Sequence, residues 1–90
     1  MTWLAVASYR VLIKPSAVKE LELVPVKDRR RLVSRMERLA ADPRPHGCEK
    51  LSAREQYRLR QGDYRLVYGI DDEAREVLVV KIGNRRDVYR

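Results

Sequence analysis

Cysteine is nearly absent. Cys48 stands alone, so neither an intramolecular disulfide nor a multi-cysteine metal site can form; it reads as a small, at least partly buried thiol. Long apolar runs are missing too. Residues 3–7 are apolar, but the stretch is short and has no basic leader, so it reads as neither a signal peptide nor a membrane span. Residues 1–8 read as a loose N-terminal extension, and a cytoplasmic location with no membrane partner is the expectation. Repeats, low-complexity stretches and linkers are likewise wanting, so residues 1–90 read as one domain. His46 is the one histidine, and no set of side chains has the spacing of metal ligands; no metal and no other cofactor are expected.

What is present is an ordinary 44% of hydrophobic residues beside a high 37% of charged ones. A chain of ninety residues buries only about two-thirds of its unfolded surface, so the charges belong on the outside of one compact core. Twenty Lys and Arg against thirteen Asp and Glu leave a net charge of +7. That excess favours a polyanionic partner, either nucleic acid or an acidic protein. The plainer reading is that it aids solubility.

Along the chain, residues 9–14 alternate and read as a strand ended by Pro15. Ser16 then caps a short helix over 16–24, with Val18 and Leu21 on its buried side, and Pro25 ends it. A second helix is expected over 27–41. Leu32, Val33, Met36, Leu39 and Ala40 form its apolar stripe, while Arg30, Arg31, Arg35 and Arg38 lie away from it as a solvated face or a contact for an acidic partner or nucleic acid. Asp42 to Gly47 make a loop. Three strands follow over 56–60, 64–71 and 76–83, joined by short turns at Gln61-Gly62-Asp63 and at Asp71 to Ala74, hence antiparallel. Val77 to Val80 are apolar on both faces, which places the last strand inside the sheet. The fold class is α+β: β-α-α-β-β-β, two N-terminal helices on one face of a small, mainly antiparallel four-stranded sheet.

Strand alternation sorts the charges. Tyr57 and Leu59 share one face, leaving Arg58 and Arg60 on the other. Tyr64, Leu66, Tyr68 and Ile70 share a face, leaving Arg65 opposite. In the last strand Leu78, Val80 and Ile82 alternate with Val77, Val79 and Lys81. If the helices cover the apolar face, Arg58, Arg60, Arg65 and Lys81 crowd onto the uncovered one, and Arg85, Arg86 and Tyr89 follow where the chain leaves the sheet. Like charges on neighbouring strands disfavour folding by a few tenths of a kcal/mol each. The alternative is that they pair with Asp63, Asp87 or Glu55, but those acids fall in turns and the arginines fall mid-strand.

The run Tyr57-Arg58-Leu59-Arg60-Gln61-Gly62-Asp63-Tyr64-Arg65-Leu66-Val67-Tyr68, with the terminal Gly83-Asn84-Arg85-Arg86-Asp87-Val88-Tyr89, resembles the RelE branch of the RelE/ParE toxin superfamily. The helix end at Leu39-Ala40-Ala41-Asp42-Pro43-Arg44-Pro45, leading to Glu49-Lys50-Leu51, is similar too, so the resemblance covers 9–90. It implies a toxin of a type II toxin–antitoxin system, acting as a ribosome-dependent endoribonuclease that cuts mRNA in the A site. The reaction so implied is metal-free attack of a ribose 2′-OH on the adjacent phosphate, giving a 2′,3′-cyclic phosphate and a 5′-OH. Carried over by motif position, Arg65 would hold the scissile phosphate, with Arg58 and Arg60 beside it, where family members often have lysine. Arg85 would neutralise the leaving oxygen, and Tyr89 would stack on a base and assist proton removal. Lys81, Arg86 and Tyr57 would line the RNA.

Arginine at 58 and 60 departs from the family pattern. A guanidinium does not release its proton in proteins, so neither can serve as general base. Tyr89 is then the base left on the motif positions, its phenol having an ordinary pKa near ~10 that nearby positive charge would lower. His46, the side chain best suited to proton transfer near neutrality, sits in a Pro-flanked loop away from the motif. The partners implied are a cognate acidic antitoxin, the ribosome and mRNA, with operator DNA met only through the antitoxin. Two alternatives stand beside this: a ParE-like inhibitor of DNA gyrase, and an RNA-binding module without catalysis.

Overall fold

A computed structural model describes residues 8–51 and 55–84. The elements are β1 (Arg10–Ile13), α1 (Pro15–Glu22), α2 (Val26–Arg38), β2 (Glu49–Lys50), β3 (Gln56–Gln61), β4 (Tyr64–Asp71) and β5 (Glu76–Asn84). The class is α+β, as the sequence indicates. The sheet, however, has five strands in the order β1-β5-β4-β3-β2, one more than the four expected. The addition is β2, which runs antiparallel to β3 and pairs Glu49 with Arg58 and Lys50 with Tyr57. β1 pairs parallel with β5, so β5 has a neighbour on each side, in keeping with its apolar run.

Pro15 does more than end a strand: it occupies the first turn of α1, where its fixed φ suits the helix and its missing N–H costs nothing. Ser16 therefore lies inside the helix, and no side chain caps that end. The buried stripe is Ala17, Leu21 and Val24, the i, i+4, i+7 set; Val18, expected inside, is 38% exposed. Arg29 closes the other end of α1. Its Nε and Nη2 donate to the Val24 carbonyl at 3.3 and 3.2 Å, and Nη2 also to the Glu22 carbonyl at 3.3 Å. A cation on the last carbonyls of a helix satisfies orphan acceptors and opposes the dipole.

α2 ends at Arg38 rather than at 41, and Leu39 to Ala41 turn away from it. Leu32, Met36 and Leu39 are buried, with Val33 and Ala40 half-buried beside them. They meet Tyr57, Leu59, Leu66, Tyr68, Ile70, Val77, Val79 and Ile82 of the sheet in one cluster. Both helices thus cover the same face. Tyr68 is fully buried there, and its hydroxyl donates to the Pro43 carbonyl at 2.8 Å. Burial, then the neighbouring Cys48, push its ionisation well above the usual tyrosine range.

Two local features set the strands' faces. Gly62 and Asp63 form the two-residue turn between β3 and β4; Gly62 has φ +61° and Asp63 is not in the positive region, the pattern of a type II′ hairpin. In β5 a bulge interrupts the ladder: Val67 pairs with Lys81, but Tyr68 pairs with Val79, so Val80 is an extra residue. A bulge shifts the parity of everything after it. Val77 and Val79 therefore share the core with Ile82, not with Lys81, contrary to simple alternation.

Leu32, fully buried on α2, tests the core. Leu32→Ala is expected to lower unfolding stability by about 3 kcal/mol, read as a shift of the urea midpoint with unchanged slope.

Candidate functional site

Register decides which charges meet. Across β3 and β4, Arg58 stands opposite Val67 and Arg60 opposite Arg65. Across β4 and β5, Lys81 stands opposite Val67 and Gly83 opposite Arg65. Directly opposed residues point to the same side. Since Leu59, Leu66 and Tyr68 face the helices, Arg58, Arg60, Arg65 and Lys81 all rise from the open face. Arg65 is the innermost, 6% exposed, with Gly83 presenting no side chain on one flank and Arg60 on the other.

Lys81 arrives on that face through the bulge, and its charge is drawn elsewhere. Its Nζ lies 3.4 Å from Glu20 Oε2 of α1, while Glu20 Oε1 accepts the Ile82 N–H at 2.9 Å. That N–H lies past the end of β1, where β5 has no strand on this side, so Glu20 does what a neighbouring strand would do. Lys81 thus flanks the arginines with its ammonium turned to α1.

Arg58 has a carboxylate partner, and it is none of the acids considered from the sequence. Its Nη2 and Nε donate to Glu49 Oε1 at 2.9 and 3.3 Å. Glu49 lies on β2 directly across from Arg58. The Arg58 hydrogen bond, then the Arg58 charge, and further off Arg65 and Arg60 hold the Glu49 carboxyl below its ordinary value of 4.5. One carboxylate therefore sits in the field of all three arginines. Sequence reasoning missed it because a two-residue strand has no periodicity to detect.

Tyr57 is corrected most sharply. It points to the helix side, is 7% exposed, and stacks on Tyr68 with ring centroids 5.9 Å apart. Its hydroxyl donates to Glu55 Oε2 at 3.0 Å and accepts from Arg44 Nε at 3.0 Å. Tyr57 is a core residue on the face opposite the arginines, not one of the open face's side chains. Arg44, whose guanidinium also lies over the Tyr57 ring at 5.2 Å, donates to Asp72 at 3.0 and 3.2 Å. Tyr9 donates to the same carboxylate at 2.7 Å, and that bond is the main reason its phenol is raised above 10.0. Arg44 thereby ties the loop after α2 to the starts of β1 and β3 and to the β4–β5 turn.

On α2, Arg30, Arg31 and Arg38 are exposed and Arg35 half-buried, off the apolar stripe. His46 is exposed in its loop. Arg85, Arg86 and Tyr89, and Asp87 with them, lie outside the described residues, as do residues 1–7 of the N-terminal extension. Among the described residues no three His, Cys, Asp or Glu come together as metal ligands would, and no helix is long and apolar enough to cross a membrane.

A small sheet with two helices on one face and arginines rising from the other defines a class, and comparison with known proteins gives that class its family. A family model described as the ParE toxin of the type II toxin–antitoxin system, parDE, matches residues 4–89. The chain belongs to this family of type II toxins, in the RelE/ParE superfamily. Its fold is similar to the isolated RelE toxin of E. coli, with a TM-score of 0.77 and 26% identity over 91% of this chain and 92% of that one. It is equally similar to the RelBE2 toxin–antitoxin complex of Mycobacterium tuberculosis, with a TM-score of 0.77 and 26% identity over 87% of this chain and 99% of that one. The curated Toxin RelG of Mycobacterium tuberculosis is 48% identical over 31 residues, which are 34% of this chain and 36% of that protein. The match thus spans about a third of that relative.

Two measurements test this electrostatic picture. Arg60→Thr removes one of two directly opposed guanidiniums and is expected to stabilise the fold by about 0.5 kcal/mol at low salt, with the gain shrinking as salt is added. Acid acts in the opposite direction. Arg58 lowers the carboxyl of Glu49 below 4.5, and Arg44, then Tyr9, lower that of Asp72 below 3.8. A depressed carboxylate stabilises the fold fully above its unfolded pKa, and the contribution is lost as pH falls through the folded one. Stability should therefore fall below about pH 4.5, and Asp72→Asn should flatten that limb in urea titrations run from pH 7 to 3.

Proposed function

We propose that this type II toxin is a ribosome-dependent endoribonuclease, cutting mRNA in the A site by attack of a ribose 2′-OH on the neighbouring phosphate. The observation that carries the reading is the convergence of Arg58, Arg60 and Arg65 on one open sheet face. Fixed guanidiniums at neighbouring positions match the oxygens of a phosphodiester and of the more highly charged phosphorane that follows. Arg65, the most buried, holds the scissile phosphate; Arg58 and Arg60 flank it. Arg85 neutralises the departing 5′-oxygen, and Tyr89 stacks on a base. The 2′-OH is the RNA's own nucleophile, so the reaction needs no metal. What the protein supplies is alignment and charge, and the ribosome holds the message in line.

RelE toxins of E. coli and Mycobacterium tuberculosis are found in complexes with their antitoxins. By that likeness, a cognate acidic antitoxin silences this chain in the cytoplasm by covering the basic face. Operator DNA is met through the antitoxin.

The family model is named for ParE, and that favours a second reading, a DNA-gyrase inhibitor without nuclease activity. The arginine face supports the nuclease reading over it, since fixed guanidiniums suit the charge that develops on a phosphodiester as it is cut.

Cell-free translation with end-mapping of the message separates the two. The nuclease reading expects codon-phased cuts with 5′-OH ends. Arg65→Ala and Arg85→Ala should each slow cutting on the order of a hundredfold, and naked RNA should be cut little. Intact message alongside trapped gyrase–DNA cleavage complexes would select the ParE-like reading.

A further inference from the structure

The open face is not cationic throughout. Two residues along β3 and β4 from the row of Arg58 and Val67, about 7 Å away at the rise of a strand, the chemistry changes. There the register brings Gln56, Gly69, Leu78 and Leu12 into one line across β3, β4, β5 and β1. Their strand neighbours Tyr57, Tyr68, Ile70, Val77 and Val79 belong to the core on the other side, so this row rises beside the arginines. We infer that it seats one nucleobase of the bound RNA, the base next to the phosphate on Arg58 and Arg65. The inference rests on the phosphate contact of the nuclease reading and concerns a base other than the one stacked on Tyr89.

The shape of the row supports it. Leu12 and Leu78 are 43% and 41% exposed and directly paired. One exposed leucine is ordinary; two in register, beside a residue with no side chain, make a flat apolar floor at the edge of a charged field. Gly69 is that residue, and the backbone does not demand it. Its φ is not in the positive region, and a Cβ built there would meet Glu55 O at 3.6 Å and Gln56 Cγ at 4.0 Å, ordinary contacts. A glycine inside a strand weakens it and often marks the close approach of a ligand. Here it keeps the floor low. Gln56 borders the floor, and its amide offers both a donor and an acceptor to the edge of a base.

The charges on either side fit a nucleotide as well. Beyond the row, Asp71 stands opposite Glu76 and Glu76 opposite Arg10, with which it forms an ion pair. Two carboxylates there oppose a further phosphate, whereas an uncharged ring between them and the arginines meets no repulsion. Guanidiniums, then an apolar floor, then acids thus match a phosphate, its base and the end of the site. Apolar side chains can hold an unstacked base by its face. That contact tolerates any base, so discrimination falls to Gln56.

The experiment is NMR of the leucine methyl groups of the full chain at low salt, titrated with a short 2′-O-methyl RNA and with the same strand lacking its bases. The intact strand is expected to move the Leu12 and Leu78 methyl signals upfield, since an aromatic ring shields groups beneath its face. The abasic strand is expected to bind and leave them in place. Gly69→Val adds a side chain without changing charge. It should weaken binding of the intact strand about tenfold and leave the abasic strand unaffected. Gln56→Leu should level the affinities of strands that differ only in the seated base. An intact strand that binds with both leucines unmoved, and binds Gly69→Val as tightly as wild type, overturns the seat and leaves the nuclease reading standing. Failure of both strands to bind overturns the phosphate contact and the seat together.

Discussion

Arg60 and Arg65 stand directly opposite each other on adjacent antiparallel strands, and most of the site's architecture answers that repulsion. Two guanidiniums side by side on a sheet oppose folding. They are held there by the other side of the same strands, where Leu59, Leu66 and Tyr68 are buried against the helices. Because side chains alternate, the register that buries those three also fixes the arginines on the open side; a slip by one residue would exchange core and charge. Hydrophobic burial on one face therefore holds together charges on the other that would rather part. Glu49 eases the crowding from β2, with Arg58 between it and the pair.

The remaining polar contacts guard the same geometry from its edges. Glu20 occupies the side of β5 beyond β1, taking the Ile82 N–H and the Lys81 ammonium, which steadies the strand that carries Gly83 past Arg65. At the other end, Arg44 joins Asp72, Tyr57 and Glu55, and Glu55 in turn receives Lys50 of β2. β2 is only two residues long, so ties at its ends matter for where Glu49 stands. Hydrogen bonds at the edges of the sheet thus bear on where the charged groups of its open face stand.

Much of this was legible in the chain. The hairpin at Gly62 follows from turn chemistry, and the shared face of Arg58, Arg60 and Arg65 follows from the period of a strand. Tyr57 shares its parity with Leu59, so its place in the core was available from the same rule. Three things were not. β2 is too short to show alternation, so Glu49 stayed hidden until the sheet was assembled. The bulge at Val80 lies in the run Val77 to Val80, where every residue is apolar and no change of parity can show. The start of α1 turned on Pro15, whose preference for the first helical turn competes with its role as a strand terminator. In each case the deciding contact is made by residues distant in sequence, or local pattern allows two answers.

The central claim is that one phosphodiester engages Arg58, Arg60 and Arg65 at once. The direct measurement is NMR of the arginine Nε–H groups during titration with a short 2′-O-methyl RNA, which binds but cannot be cut. The account predicts that the signals of Arg58, Arg60 and Arg65 move together with one dissociation constant, while Arg29 and Arg44 stay in place. Movement confined to Arg30, Arg31 and Arg38 of α2, with the sheet arginines unchanged, would contradict it.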